Sequence, residues 1–441
     1  MKEKCGVFGI YNSISNINII PSVITGLKLL QHRGQEGCGI AFENNKQLDI
    51  HKGLGLVTNV FNDDISIETN KCIGHVRYST SGNSKINEDS KISETQPLEG
   101  NADGEEFYIS HNGNIPKIKT HDTQYIIDFI NKSECRDFEE KLISLMKTIP
   151  CAYSILILTN NCIYGMRDRY GIRPLCIGTY DKSYCISSES CAFQHFKLDR
   201  DVLPGEIIKI NNNGLQTIYQ YDKSKLSICA FEYLYFLNPS SICDGYNVTD
   251  VRNNLGKLLA NKETLTIDDQ HIVIGIPNSG ILSAKSYASS LSIKYIQAIS
   301  KNKSSNRTFI IPNNEDRIKA CNEKFIYDQD SIAYKKVIII DDTIVRGNVI
   351  KSIINNLELC KASEIHIRIA APPIINICQL GIDIPSCEEL LAYNKNIAQI
   401  TDELNVTSIK YLSVEELNNI IPPSSYKQCF GEEIDKKMIE W

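Results

Sequence analysis

Up to about residue 225 the chain alternates short apolar runs with glycine, asparagine and charged turn signals. CGVFGIY (5–11), CGIAFE (38–43), CIGHVRYST (72–80), EFYISHNG (106–113), AYSILILTNN (152–161), CIYGMRD (162–168), LCIGTY (175–180) and YCISSES (184–190) predict strands. PSVITGLKLLQH (21–32), TQYIIDFINK (123–132) and DFEEKLISLMKTI (137–149) carry a helical period. Many strands with few helices predict an α+β layered unit. Beyond residue 225 the pattern changes. HIVIGI (271–276), KYIQAIS (294–300), KKVIIID (335–341) and EIHIRIAA (364–371) are β-branched runs. Helical stretches such as ILSAKSYASSLS (281–292) and NVIKSIINNLELC (348–360) separate them. That alternation predicts a parallel α/β sheet with ligands at the carboxyl ends of its strands. The expected units are 5–225, 226–400 and a helical tail over 401–441.

Composition narrows the class. The 441 residues suffice for two large cores or three smaller ones, and 42% apolar with 23% charged residues is ordinary for a folded protein. Lys plus Arg is 47 against 53 Asp plus Glu, a formal charge of −6 without a long basic run. No nucleic-acid footprint is therefore expected. No apolar stretch is long enough for a membrane span, and the N-terminus does not read as a signal peptide. The expected location is the cytoplasm. The 16 cysteines include no Cys-x-x-Cys, so most read as small buried apolar residues.

Three polar, turn-rich segments stand out in the first half: QHRGQEGCGI (31–40), GHVRYSTSG (74–82) and SHNGN (110–114). With Cys5 just before the first predicted strand, they resemble the class II glutamine amidotransferases, whose nucleophile is an N-terminal cysteine. The match continues in order through KGLGLVTNVF (52–61), TQPL (95–98), HDTQ (121–124), MRDRYGIRPL (166–175), SSESCA (187–192) and LPGEI (203–207). The resemblance implies the αββα N-terminal-nucleophile sandwich and removal of Met1–Lys4, which makes Cys5 the first residue. Its α-amine, titrating at about 7.7–8.0, would then serve as the base for its own thiol. The family pattern puts the oxyanion donors on Asn112 and Gly113, and the contacts to glutamine on Arg77, Thr80 and Asp122. Arg77 can pair bidentately with the α-carboxylate and Asp122 can take the α-ammonium. As plain sequence, Arg77 also reads as a surface ion pair and Asp122 as a helix N-cap. His32, His75 and His111 sit inside these motifs, read as packing or backbone-bonded residues, and form no metal spacing.

In the second half VIIIDDTIVRGN (337–348) ends a strand in two adjacent acids, then turns through Arg346 and Gly347 into a helix. Paired carboxylates suit ribose hydroxyls and Mg²⁺, and loop amides before a helix suit a phosphate. The string resembles the 5-phosphoribosyl 1-diphosphate (PRPP) signature of type I phosphoribosyltransferases. That resemblance places PRPP on Ser279 of IPNSG (276–280) and on Asp341, Asp342, Thr343, Arg346, Gly347 and Asn348. One Mg²⁺ per subunit would sit on Ser279, Asp341 and Asp342. KNKSSNRTFIIP (301–312) resembles the mobile flap of this fold, with Lys301, Arg307 and Lys324 as its cations. Asn348 and Val349 stand where the family usually has hydroxyls, so weaker PRPP binding than in relatives is expected.

Together the two resemblances imply an enzyme that takes ammonia from glutamine and delivers it internally to PRPP. The products are 5-phosphoribosylamine, diphosphate and glutamate, the opening of de novo purine synthesis. FEYLYFLNPSS (231–241), HIRIAAPP (366–373) and the segment 381–390 extend the match. Neither the ATP loop of an asparagine synthetase nor a sugar-isomerase unit is readable, and a non-catalytic PRPP sensor is the rival from another class. The resemblance also implies a homotetramer inhibited by purine nucleotides. One branch of these enzymes holds a [4Fe–4S] cluster on four cysteines. Cys229, Cys378 and Cys429 match three positions, but the fourth is Tyr426. The expectation is that the cluster is absent, with Cys387 as the alternative fourth ligand.

Overall fold

A computed structural model describes residues 5–14, 17–61, 65, 67–78, 88–118, 121–302, 324–380 and 386–440. The first half stacks two sheets. One has seven strands in the order Lys197–Asp201, Cys176–Tyr180, Ser183–Ser187, Gly6–Asn12, Lys71–Arg77, Gly37–Asn44 and Gln47–Leu54. The other has six, in the order Gly214–Gln220, Glu206–Asn211, Ile163–Arg167, Tyr153–Thr159, Glu105–Gly113 and Leu98–Ala102.

Period-two alternation explains the stacking. Along Gly6–Asn12, Phe8 and Ile10 pack under the helix Ile20–Leu29, while Val7 and Tyr11 face the second sheet. Tyr108, Leu156, Leu158, Ile208 and Ile210 meet them from that sheet. Its other face, with Phe107, Ile155 and Ile157, buries helices Asp122–Lys132 and Phe138–Thr148. The result is the expected helix–sheet–sheet–helix order.

The second half has a five-stranded parallel sheet in the order Lys294–Tyr295, His271–Gly275, Lys336–Asp341, Glu364–Ile369 and Ser408–Tyr411. Its central strands are buried along nearly their whole length, as a sheet with covered faces requires. The KYIQAIS run divides. Lys294–Tyr295 joins the parallel sheet, and Ile299–Lys301 pairs with Phe325–Tyr327 in a separate ribbon. The tail over 401–441 contains the end of helix Ile397–Leu404, helix Val414–Asn418 and two 3-10 turns, and also the edge strand Ser408–Tyr411. Ile409 and Tyr411 of that strand alternate inward and complete the sheet. FEYLYF forms a single π-helical turn, Glu232–Phe236.

The core of the second half does not stop at residue 225. Cys151, Ala152, Tyr170 and Ile172 belong to the same packed cluster as Phe231, Tyr233 and Phe430. The Cys151 thiol donates to the Met438 carbonyl at 2.9 Å.

Candidate active site

Cys5, Arg77, Asn112, Gly113 and Asp122 gather at one end of the two stacked sheets. Cys5 leads into the strand whose Gly6 pairs with Val76, so it lies beside the end of Lys71–Arg77. Its thiol donates to the Tyr78 carbonyl at 3.9 Å. The His75 ring nitrogen Nε2 meets the His111 carbonyl at 3.2 Å and ties the two sheets together just below this point. His111 Nδ1 bonds the Thr123 hydroxyl at 3.1 Å and lies 3.8 Å from Asp122 Oδ1. Burial lowers both histidines, His75 to about 3, so they are neutral framework groups. The packing and backbone-bonded reading of His75 and His111 matches this geometry.

Asn112 is 2% exposed and its buried Nδ2 has no hydrogen-bond partner among the described residues. A buried unpaired donor costs about 1–3 kcal/mol, so it marks a place where a ligand atom belongs. Gly113 follows at the strand end. A Cβ there would lie 2.1 Å from the Ala152 carbonyl oxygen, so only glycine permits this approach. Arg77 donates to the Lys91 carbonyl at 2.7 Å and to Glu94 at 2.6 Å. Asp122 opens its helix and accepts from the Thr123 amide at 2.8 Å, while His121 holds the N-cap position without a side-chain cap bond. Thr80 lies outside the described residues.

The second cluster stands where two neighbouring parallel strands end. Gly275 pairs with Ile340, and the Ile276 amide donates to the Ile340 carbonyl at 3.0 Å. The loop carrying half-buried Ser279 and the loop of Asp341–Gly347 therefore rise side by side. Asp341 and Asp342 are 9% and 6% exposed. Their hydrogen bonds are local: Asp341 accepts from the Asp342 amide at 2.9 Å, and Asp342 from the Thr343 hydroxyl at 2.8 Å. Burial and the adjacent Asp342 charge push the Asp341 carboxyl well above its ordinary range. Two crowded carboxylates, with the Ser279 loop rising from the neighbouring strand, fit a hard divalent cation. Gly347 takes φ of 81° before the helix Asn348–Leu359, a left-handed bend that glycine adopts freely. Asn348 is exposed at the helix start, and Val349 packs against the core. Arg346 reaches Glu389 at 2.5 Å. Lys301 and Lys324 stand at the base of the two-stranded ribbon, where the Asn302 amide donates to the Lys324 carbonyl at 2.9 Å. Arg307 lies outside the described residues.

Two groups were not legible beforehand. The π turn stands between the clusters: burial, then the charges of Asp342, Tyr78 and Asp341, raise the Tyr235 phenol. Arg33, Glu189, Glu232 and Arg173 form a fully buried ionic network beside Cys5. Each was visible inside a motif, but nothing in one dimension pairs residues so far apart.

Cys229, Cys378 and Cys429 do converge, around Tyr426. Cys229 and Tyr426 form a β-bridge, and the Cys378 sulfur lies 4.0 Å from the Tyr426 hydroxyl, which also bonds Gln428. Burial, then the neighbouring thiols, pushes up Tyr426 and Cys429. Cys387 stands instead on the turn with Glu389, the partner of Arg346. Three thiols and a hydrogen-bonded phenol do not fit a four-thiolate cluster. His32, Glu189 and Cys191 are a trio of metal-ligand type that the histidine spacing did not suggest. Arg33, His32, the Asn238 amide and Ser241 already occupy the Glu189 oxygens, so this trio is an ion-pair site.

A cysteine before a strand of a layered sandwich, joined to an acid pair at the end of a parallel sheet, is the pairing expected of a glutamine-dependent phosphoribosyltransferase. The chain is 33% identical to amidophosphoribosyltransferase of Methanothermobacter thermautotrophicus over 98% of its own length and 94% of that protein's. The Bacillus subtilis and human enzymes of that name are each 34% identical, covering 95% of this chain and 89% of theirs. The chain belongs to the amidophosphoribosyltransferase family. The solved glutamine PRPP amidotransferase of B. subtilis, complexed with ADP and GMP, superposes with a TM-score of 0.86 at 33% identity, over 97% of this chain and 96% of that one. No family model matches the sequence. Among the described residues, no helix is long and apolar enough to cross a membrane.

Proposed function

We propose that the chain converts glutamine, PRPP and water into glutamate, 5-phosphoribosylamine and diphosphate at two sites of its own. The Cys5 thiolate attacks the glutamine carboxamide, and the α-amine freed by loss of Met1–Lys4 accepts and returns the thiol proton. Asn112 Nδ2 and the Gly113 amide hold the oxyanion. The unpaired Asn112 donor is the observation that carries this reading. Arg77 takes the α-carboxylate, in exchange for part of its contact with Glu94, and Asp122 takes the α-ammonium. Thr80 is a further contact by resemblance alone. Ammonia leaves, water hydrolyses the thioester, and ammonia passes the Tyr235 turn, sheltered from dilution and protonation. It then attacks the anomeric carbon of PRPP and displaces diphosphate.

At the second site Asp341 and Asp342 take the ribose hydroxyls, and the Thr343–Asn348 loop takes the 5-phosphate at a helix start. Ser279, Asp341 and Asp342 would hold Mg²⁺, which supplies charge compensation for the leaving diphosphate. Lys301 and Lys324 supply cations at the two-stranded ribbon, and Arg307 is a further contact by resemblance alone. The decisive experiment is glutamine-dependent diphosphate release from PRPP by the purified protein; no release would sink the proposal. Purine nucleotides are its expected inhibitors, which the ADP and GMP of the B. subtilis structure support. A cytoplasmic homotetramer completes the reading, with a glutaminase unit over 5–225 and a phosphoribosyltransferase unit whose sheet takes in Ser408–Tyr411 of the tail.

Asn112→Ala should lower the turnover of glutamine hydrolysis by about 10²- to 10³-fold, the usual cost of one oxyanion donor. Steady-state glutaminase kinetics, with ammonia-dependent synthesis as the control, check this.

The donor set around Tyr426 supports a cluster-free protein. Anaerobically purified protein is expected to contain negligible iron and to lack brown absorbance near ~400 nm. Tyr426→Cys restores a fourth thiol beside Cys229, Cys378 and Cys429, and should take up iron and sulfide on reconstitution. Stoichiometric iron in the unaltered protein would overturn this, and Cys387→Ser would then test that residue as the fourth ligand.

A further inference from the structure

An N-terminal nucleophile poses a mechanical problem. Once Met1–Lys4 is gone, Cys5 is joined to the chain through its own carbonyl alone, so the orientation of that peptide group bears directly on where its amine and thiol stand. Arg33 Nε donates to this carbonyl at 3.0 Å. The rest of the guanidinium is clamped. Nη1 donates to Glu189 at 2.6 Å and to Glu232 at 3.1 Å, and Nη2 to the other Glu232 oxygen at 3.1 Å. Glu232 also accepts from Arg173 at 3.3 Å, and Arg173 reaches the Leu380 carbonyl at 3.4 Å. All four charged side chains are buried, two cations against two anions. Against the penalty of burial, Glu232 and Glu189 hold Arg33 above its ordinary value, so it stays charged.

We infer that Arg33 and Glu232 are positioning residues for glutamine hydrolysis: Arg33 fixes the Cys5 carbonyl, and Glu232, supplied by the phosphoribosyl half, fixes Arg33. The inference rests on Cys5 as nucleophile. Glu232 sits on the same π turn as Tyr235, the residue between the two sites. The turn that faces the PRPP acids thus also seats the nucleophile, and the first site is incomplete without a carboxylate from the second half. A fixed orientation matters because a misplacement of about 1 Å can cost about 100-fold in rate.

The test is the isosteric Glu232→Gln in the full-length enzyme. Glutaminase kcat should fall about 10- to 100-fold, while KM for glutamine stays within about twofold because Arg77 and Asp122 are untouched. Alkylation of Cys5 by iodoacetamide, followed by peptide mass, should slow in parallel. Ammonia-dependent synthesis should hold within about threefold, and Glu232→Asp should recover part of the loss. Arg33→Lys keeps the charge but cannot bridge the carbonyl and both carboxylates, and it should show the same split. Unchanged kcat in Glu232→Gln would overturn the inference. So would joint loss of both activities in both variants, which would assign the network to folding alone. Cys5→Ala keeps the two readings apart: if it still hydrolyses glutamine, the nucleophile assignment fails, whatever Glu232 does.

Discussion

Cys5→Ala is expected to abolish glutamine-dependent formation of 5-phosphoribosylamine, a loss of about a thousandfold or more, while synthesis from added ammonia continues. The physical reason is separation. Cys5 directly precedes a strand of an antiparallel sheet, whereas Asp341 ends a strand of a different, parallel one. Removing one thiol changes neither the acid pair nor the phosphate loop. Diphosphate release with glutamine or with ammonium chloride as the nitrogen source measures both arms. Loss of both with the fold intact would rule out two separate sites. Intact-mass analysis adds an independent reading: active enzyme retaining Met1–Lys4 would exclude the α-amine as base.

Asp341→Ala or Asp342→Ala is expected to remove both activities, because every route to product passes through PRPP. Each substitution deletes charge-assisted bonds worth about 1.5–3 kcal/mol apiece, or roughly 10- to 150-fold. Stability should move the other way. Asp341 is buried beside Asp342, which raises its carboxyl above the ordinary range, so in the metal-free protein ionising it opposes folding. Removing it should leave the thermal midpoint unchanged or higher. A variant inactive because it is unfolded would show the reverse. Unchanged PRPP affinity and turnover would refute the assignment.

Burial explains which parts of the molecule could be read in one dimension. Strands such as Tyr153–Thr159 and Lys336–Asp341 are buried on both faces and appear as near-continuous apolar runs. Gln47–Leu54 and Gly214–Gln220 escaped because they are edge strands with mixed, partly exposed faces. The candidate-site residues stood out through motifs that couple a turn to a strand end, as in SHNGN and DDTIVRG. Arg33 was hidden in the same kind of motif, since its meaning lies in Glu189 and Glu232, 156 and 199 positions away. Tyr426 was the informative exception. Its identity alone told against a fourth thiolate, and the geometry adds only where its hydroxyl points.

The core that runs from Cys151 and Tyr170 into Phe231 and Phe430 bears on how such an enzyme can be rebuilt. Composition would recommend a cut near residue 225, and the two catalytic functions look like exchangeable cassettes. They are not. Such a cut leaves Ile172 on one fragment and Ile228, Ala230 and Phe231 on the other, all buried in the intact chain. Each fragment would carry a greasy scar that water does not tolerate. A chimera that borrows this glutamine-hydrolysing half for a new nitrogen acceptor must therefore bring the lining of that seam with it, from Ile228 through Phe236 and the segment around Phe430. Fusion of a bare sandwich to a foreign synthase would carry over Cys5 but neither the Glu232 carboxylate that braces it nor the surface that keeps it folded.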